Sequence, residues 1–181
     1  MTKMTTPNLQ PVQATNASLV TECKQRALCR EDLDALMHIE SMSYSHPWTR
    51  QNFLDSFSAH YWLQGLFDNA LEAQTASLVG YFVAMKGVDE VHLLNLTVAP
   101  HCRRKGFAKE LLDTLRSFAQ ASNLKWIWLE VRKSNTAAIA LYTAYGFLIC
   151  GERKNYYPLG LSGAKAREDA VLMSYHITPC N

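Results

Sequence analysis

The stretch from Val91 to Val131 constrains the fold more than any other part of this chain. Val91 to Val98 reads as a strand and is stopped by Pro100, which has no N–H to give to a ladder. Phe107, Leu111, Leu115, Phe118 and Ala119 then recur at helical intervals, which predicts a strongly amphipathic helix over about Arg104 to Ser122. It leads straight into Trp126 to Val131, a strand that reads as apolar on both faces until Glu130. A strand, an amphipathic helix and a buried strand in succession call for a layered α/β domain.

The remaining segments fit that plan. Lys24 to Cys29 predicts a short strand, and Leu33, Leu36, Met37 and Ile39 to Glu40 keep helical spacing until Ser45, His46 and Pro47 interrupt them. Thr49 is the expected N-cap of a second short helix carrying Phe53, Leu54 and Phe57. YWLQGLF and SLVGYFVAM, between Tyr61 and Met85, predict two strands joined by a polar hairpin loop over Asp68 to Thr75. With Val91 to Val98 they are expected to lie antiparallel. Asn135 to Tyr145 predicts another helix, ended by Gly146, and Phe147 to Arg153 and Ala170 to Ile177 predict two closing strands around a glycine-containing loop. At 181 residues the chain suits one core. The expectation is a single α/β domain with a mixed, mostly antiparallel central sheet flanked by about four helices. Residues 1–22, rich in Thr, Asn, Gln and Pro without an apolar period, read as a flexible leader ahead of a domain over 23–181.

Composition excludes several classes. A net charge of +2 gives no reason to expect direct nucleic-acid binding, so any anion must be held by a local cluster. No apolar run approaches the roughly 20 residues that span a bilayer, and MTKMTTPNLQ lacks the apolar core of a secretion signal, so no membrane contact and a cytoplasmic location are expected. The five cysteines are scattered and odd in number, which reads as free thiols. His38, His60, His92, His101 and His176 show no ligand spacing, so no metal is expected.

Arg103, Arg104, Lys105, Gly106, Phe107 and Ala108 open the strongest helix at the end where unpaired N–H groups already make a positive field. Each cation there costs about 0.3 to 1 kcal/mol against the dipole, and a helical glycine adds roughly 1 kcal/mol relative to alanine. A bound polyphosphate makes sense of both, because glycine lets a ligand approach the backbone while the cations add charge. A solvated basic turn is the plainer reading of the same residues.

Arg103-x-x-Gly106-x-Ala108, set between a strand and a helix in NLTVAPHCRRKGFAKELL, resembles the pyrophosphate loop of GNAT acetyltransferases. WLEVRKSNTAAIALYTAYGF, RKNYYP and REDAVLM narrow the resemblance to the RimI group of N-terminal protein acetyltransferases, over about Leu28 to the C-terminus. Two departures stand out: Ala108 replaces the commoner glycine, and the loop Leu159 to Lys165 is slightly long. The resemblance implies acetyl-CoA as cosubstrate, held by Leu96, Thr97 and Val98 on the strand, by Arg103, Arg104, Lys105, Gly106, Phe107, Ala108 and Lys109 at the helix start, and by Asn135. It implies a ribosomal-protein N-terminus as partner, in particular the N-terminal alanine of a small-subunit protein, and a monomer or weak oligomer is expected.

Acetyl transfer to an amine needs a deprotonated nucleophile and a proton for the leaving thiolate. Glu130, an acidic residue at the end of an apolar strand, reads from its position either as a base or as a carboxylate paired with Arg132 or Lys133. The resemblance makes it the proton acceptor. Asn135 and Tyr142 stand two helical turns apart, on one face. The resemblance makes Tyr142 the proton donor, while its plainer reading is a buried aromatic, and that of Asn135 an N-cap. Tyr44, Pro47 and Trp48, with Tyr156 and Tyr157, supply aromatic walls with polar tips for a short extended peptide. Lysine side chains or a small amine as acceptor, and a non-catalytic acetyl-CoA-binding module, are the competing readings.

Overall fold

The computed structural model describes residues 23–68, 77–159 and 166–178. The expected leader, nearly all of the loop after Asp68 and the loop from residue 160 to 165 lie outside the described residues. Seven strands form one sheet: β1 (Cys23–Ala27), β2 (Trp62–Asp68), β3 (Ser77–Lys86), β4 (Glu90–Val98), β5 (Trp126–Arg132), β6 (Leu148–Pro158) and β7 (Arg167–His176), in the order β1-β2-β3-β4-β5-β7-β6. β4 and β5 pair in parallel, and the other neighbours are antiparallel. The described α-helices are α1 (Leu33–Ser43), α2 (Arg50–Ser58), α3 (Phe107–Ala121) and α4 (Thr136–Tyr145). No helix among the described residues is long and apolar enough to cross a membrane.

The sheet is covered from both sides. α1 and α2 pack chiefly on β2, β3 and β4, with Leu33, Leu36, Ile39 and Phe53 in the core. α3 buries Leu111, Leu112, Leu115 and Ala119 against the opposite face. There Gly80 permits a close approach, since a Cβ on it would stand 3.3 Å from Leu111 Cδ1. Thr49 caps α2 as expected, its Oγ1 accepting from Asn52 N–H at 3.2 Å. Gly146 ends α4 at φ +112°, a conformation in which most side chains are strained.

Three expectations need correction. α3 begins at Phe107, so the cations precede its first turn instead of occupying it, and Gly106 is required for its φ of +89°, not tolerated inside a helix. β5 is buried on one face only: Ile127, Leu129 and Val131 are in the core, while Trp126 is exposed and Trp128 and Glu130 are half-buried. The physical reason is that α1 and α2 sit over the neighbouring strands. Finally, β6 and β7 are longer than expected, and the β6–β7 ladder is irregular between Arg153 and Tyr157, where Asn155 has φ +53°.

The break that positions the site is in β4. Val83 pairs with Asn95 and Ala84 with Leu93, so Leu94 is an extra residue without a partner in β3. Pairing with β5 stops at the same place, running from Glu90↔Trp126 to Leu93↔Leu129. Beyond it the strands part. The Leu96 carbonyl accepts from the Tyr44 hydroxyl at 3.2 Å and the Val98 carbonyl from Arg103 Nε at 3.2 Å, so side chains serve groups that a strand would otherwise pair.

Candidate active site

A groove opens where β4 and β5 separate. It consists of two adjoining cavities, of about 650 and 350 Å³, which share Tyr44, His46, Leu96, Arg132, Asn135, Ala138 and Tyr142. The larger reaches the start of α3, where Arg103, Arg104, Gly106, Phe107, Ala108 and Lys109 line it. Lys105 is not in its wall. Arg104 and Gly106 both have positive φ, +64° and +89°, and a Cβ added to Gly106 would meet nothing within 4 Å. The backbone therefore turns sharply with free space beside it, just ahead of N–H groups that a helix leaves unpaired. Of the expected strand residues, Leu96 and Val98 line the cavity, whereas the Thr97 side chain points to the other face and is buried there. Its hydroxyl donates to Asn95 Oδ1 at 2.9 Å and meets the Tyr44 hydroxyl at 3.0 Å.

Asn135 and Tyr142 do face one space, for a reason slightly different from helical spacing. Asn135 is the N-cap of α4, its Oδ1 accepting from Ala138 N–H at 3.2 Å, and Tyr142 follows two turns into the helix. Tyr142 is buried, with its ring 5.6 Å from that of Phe147. Burial, and then the neighbouring Tyr44 and Tyr157 phenols, raise its proton affinity well above that of a free phenol. The group stays protonated throughout the neutral range.

Glu130 borders the smaller cavity. It is ion-paired, but with neither partner that spacing suggested: Arg132 is held by Glu168 at 2.7 Å and Lys133 by Glu152 at 2.9 Å, while Arg153 Nη1 on β6 reaches Glu130 at 3.1 Å. The sheet order β5-β7-β6 sets this sequence-distant cation one strand beyond β7 from Glu130, which explains why local sequence pointed elsewhere. The Tyr157 hydroxyl donates to the Glu130 carbonyl at 3.1 Å, and its phenol is pushed up to about 12, first by burial and then by the Glu130 charge. Tyr156 is raised chiefly by its hydrogen bond to the Glu130 carboxylate.

Among the expected acceptor residues, Pro47, Trp48 and Tyr157 line the smaller cavity, Tyr44 lines both, and Tyr156 lies outside them on the surface. Sequence reasoning missed Arg132 and Asn95 in these walls, and above all Glu40. The signal for Glu40 was present: it continues the apolar stripe of Leu33 and Leu36 on α1, an odd place for a charge.

Comparison with known proteins identifies the family. Residues 33–147 match the acetyltransferase (GNAT) family. The chain is 33% identical over 147 residues to the [ribosomal protein bS18]-alanine N-acetyltransferase of Escherichia coli K12, covering 81% of this chain and 93% of that one. It is 33% identical over 150 residues to the protein of the same name from Haemophilus ducreyi, covering 83% and 97%. The crystal structure of the ribosomal-protein-S18-alanine N-acetyltransferase from Escherichia coli superposes with a TM-score of 0.76 at 31% identity, covering 88% of this chain and 97% of that one. Arabidopsis thaliana NAA60 shares the fold at 18% identity, with a TM-score of 0.75. The chain thus belongs to the acetyltransferase (GNAT) family, and within it to the RimI group.

Proposed function

We propose that this protein moves the acetyl group of acetyl-CoA directly to the α-amino group of a protein N-terminus in a ternary complex, with the N-terminal alanine of a small-subunit ribosomal protein as acceptor. The observation that carries the reading is the groove itself: a glycine-opened cationic helix start at one end, a carboxylate at the other, and a buried tyrosine where the two cavities meet. The relatives named for bS18 alanine acetylation support the choice of acceptor, and a ribosomal substrate fits a cytoplasmic setting.

GNAT acetyltransferases use acetyl-CoA, which supplies the acyl group as a thioester. The residues present suit it. Backbone N–H groups at Gly106 to Lys109, with Arg103 and Arg104, form a seat for a diphosphate, and Lys105, outside the wall, adds only its charge. The parted half of β4, Leu96 to Val98, offers main chain to an extended arm, and Asn135 closes the opposite wall. At the acceptor end Tyr44, Pro47, Trp48 and Tyr157 flank the peptide, while Tyr156 stands outside on the surface.

An α-amine has a reference pKa of about 7.7 to 8.0, so the acceptor arrives largely as ammonium. Glu130 takes its proton, directly or through water. Tyr142, kept protonated by burial, gives a proton to the departing sulfur. No enzyme nucleophile is needed. Incubation with acetyl-CoA and peptides beginning with alanine, serine or a blocked residue tests the reading. It predicts thiol release and acetylation at the α-amine of the alanine peptide, found by fragment mass analysis. Acetate on lysine side chains alone, or no turnover with any free amine, overturns it.

A further inference from the structure

The chemistry above leaves one buried carboxylate unused. Glu40, on α1, is 1% exposed and borders the smaller cavity together with Glu130. Donors from three other segments converge on it. Trp48 N–H gives to Oε1 at 2.8 Å, the Tyr81 hydroxyl gives to Oε2, and the Asn95 amide approaches both oxygens at 3.4 Å. Together these donors meet both oxygens of the carboxylate. Yet among the described residues Glu40 forms no ion pair; Arg132, which borders the cavity, is engaged by Glu168, and Arg153 by Glu130. A buried carboxylate without a cation is costly, and folds keep buried charges where something neutralises them. Here the space beside the charge is the acceptor cavity.

We infer that Glu40 is a specificity-determining residue whose fixed charge binds the α-ammonium of the acceptor before Glu130 removes its proton. The inference rests on the proposed reading of the groove as a seat for a peptide N-terminus. It divides the work between two carboxylates. Glu130 is paired with the half-exposed Arg153, whereas Glu40 is locked into the core by α1, β3 and β4. The same carboxylate holds Trp48 by its backbone, so the wall of the cavity and the charge beneath it are set together.

The test is calorimetric, on protein saturated with coenzyme A so that no turnover occurs. The probes are an alanine-initiated peptide and its desamino counterpart, in which propionyl replaces alanyl. The wild type is expected to bind the free-amine peptide at least tenfold more tightly. Glu40→Gln keeps the size and an acceptor for Trp48 N–H; it should weaken the free-amine peptide about tenfold and leave the desamino peptide unchanged. Equal weakening of both peptides means that Glu40 is only a structural support, and no weakening means that its charge is not felt; either result overturns the inference. Should Glu40→Gln not fold, Glu130→Gln decides the matter: a preference for the free amine that persists there supports Glu40, and one that vanishes overturns it. If the wild type binds neither peptide, the acceptor reading itself fails and takes this inference with it.

Discussion

Gly106 and Gly146 make a matched pair for separating stability from ligand binding. Both have positive φ, +89° and +112°, so alanine at either position places a Cβ in the left-handed region at about 1 to 2 kcal/mol. In a chain of this length that lowers the melting temperature by roughly 2 to 8 °C. The surroundings differ. A Cβ on Gly106 meets nothing within 4 Å, whereas one on Gly146 stands 3.2 Å from Tyr175 Cε2, so Gly146→Ala should sit at the upper end of the range. Coenzyme A binding should separate the two completely. Gly106→Ala twists the turn that aims the α3 N–H groups, and losing one charge-assisted hydrogen bond of about 1.5 to 3 kcal/mol weakens binding roughly tenfold or more. Gly146→Ala, at the far end of α4, should leave affinity unchanged. Gly106→Asn should fall between alanine and the wild type, because asparagine tolerates this backbone better. Calorimetric titration and thermal unfolding of the four proteins suffice. An unchanged melting temperature in Gly106→Ala, or an equal loss of affinity in both alanine variants, would refute the argument.

Two further outcomes follow from the side chains. Tyr142→Phe keeps the ring against Phe147 and should preserve the melting temperature and peptide KM while kcat falls on the order of 10²- to 10⁴-fold; a kcat within threefold of the wild type would remove Tyr142 from the chemistry. Asp32 is held down to about 2, chiefly by its hydrogen bonds from Arg26. A carboxyl lowered in the folded state stabilises it above the ordinary value of 3.8, and the contribution is lost as the pH falls toward 2. Denaturant unfolding should therefore show the difference between Arg26→Gln and the wild type largest at neutral pH and shrinking below about pH 4, and a difference independent of pH would contradict the assignment.

Much of the fold could be read from the sequence because its signals are local. The amphipathic run from Phe107 to Ala119, the Thr49 cap and the glycine after Tyr145 each act within a turn or two of themselves, and each is where it was expected. What the sequence hid depends on register. Nothing in Val91 to Val98 marks Leu94 as the residue that loses its partner, because that follows from how β3 and β4 align. The partner of Glu130 was hidden for the same reason: Arg153 is 23 positions away and meets it across β7, which lies between β5 and β6. The one-sided exposure of β5 reflects which helices lie above it, not the apolar character of WIWLEV. Glu40 is a different case, a polar residue in an apolar stripe whose partners on β3 and β4 become visible only once the sheet is assembled.

The unpaired Leu94 has a consequence for how such a protein can change over time. What the second half of β4 presents to the groove is main chain, and amide groups are the same whatever side chain follows them. Sequence drift along this half-strand can therefore proceed without erasing what it offers, provided the additional residue is retained. An evolutionary deletion of a single position there would realign β4 with its neighbours, and the slot would be lost even if every residue of the chemistry survived.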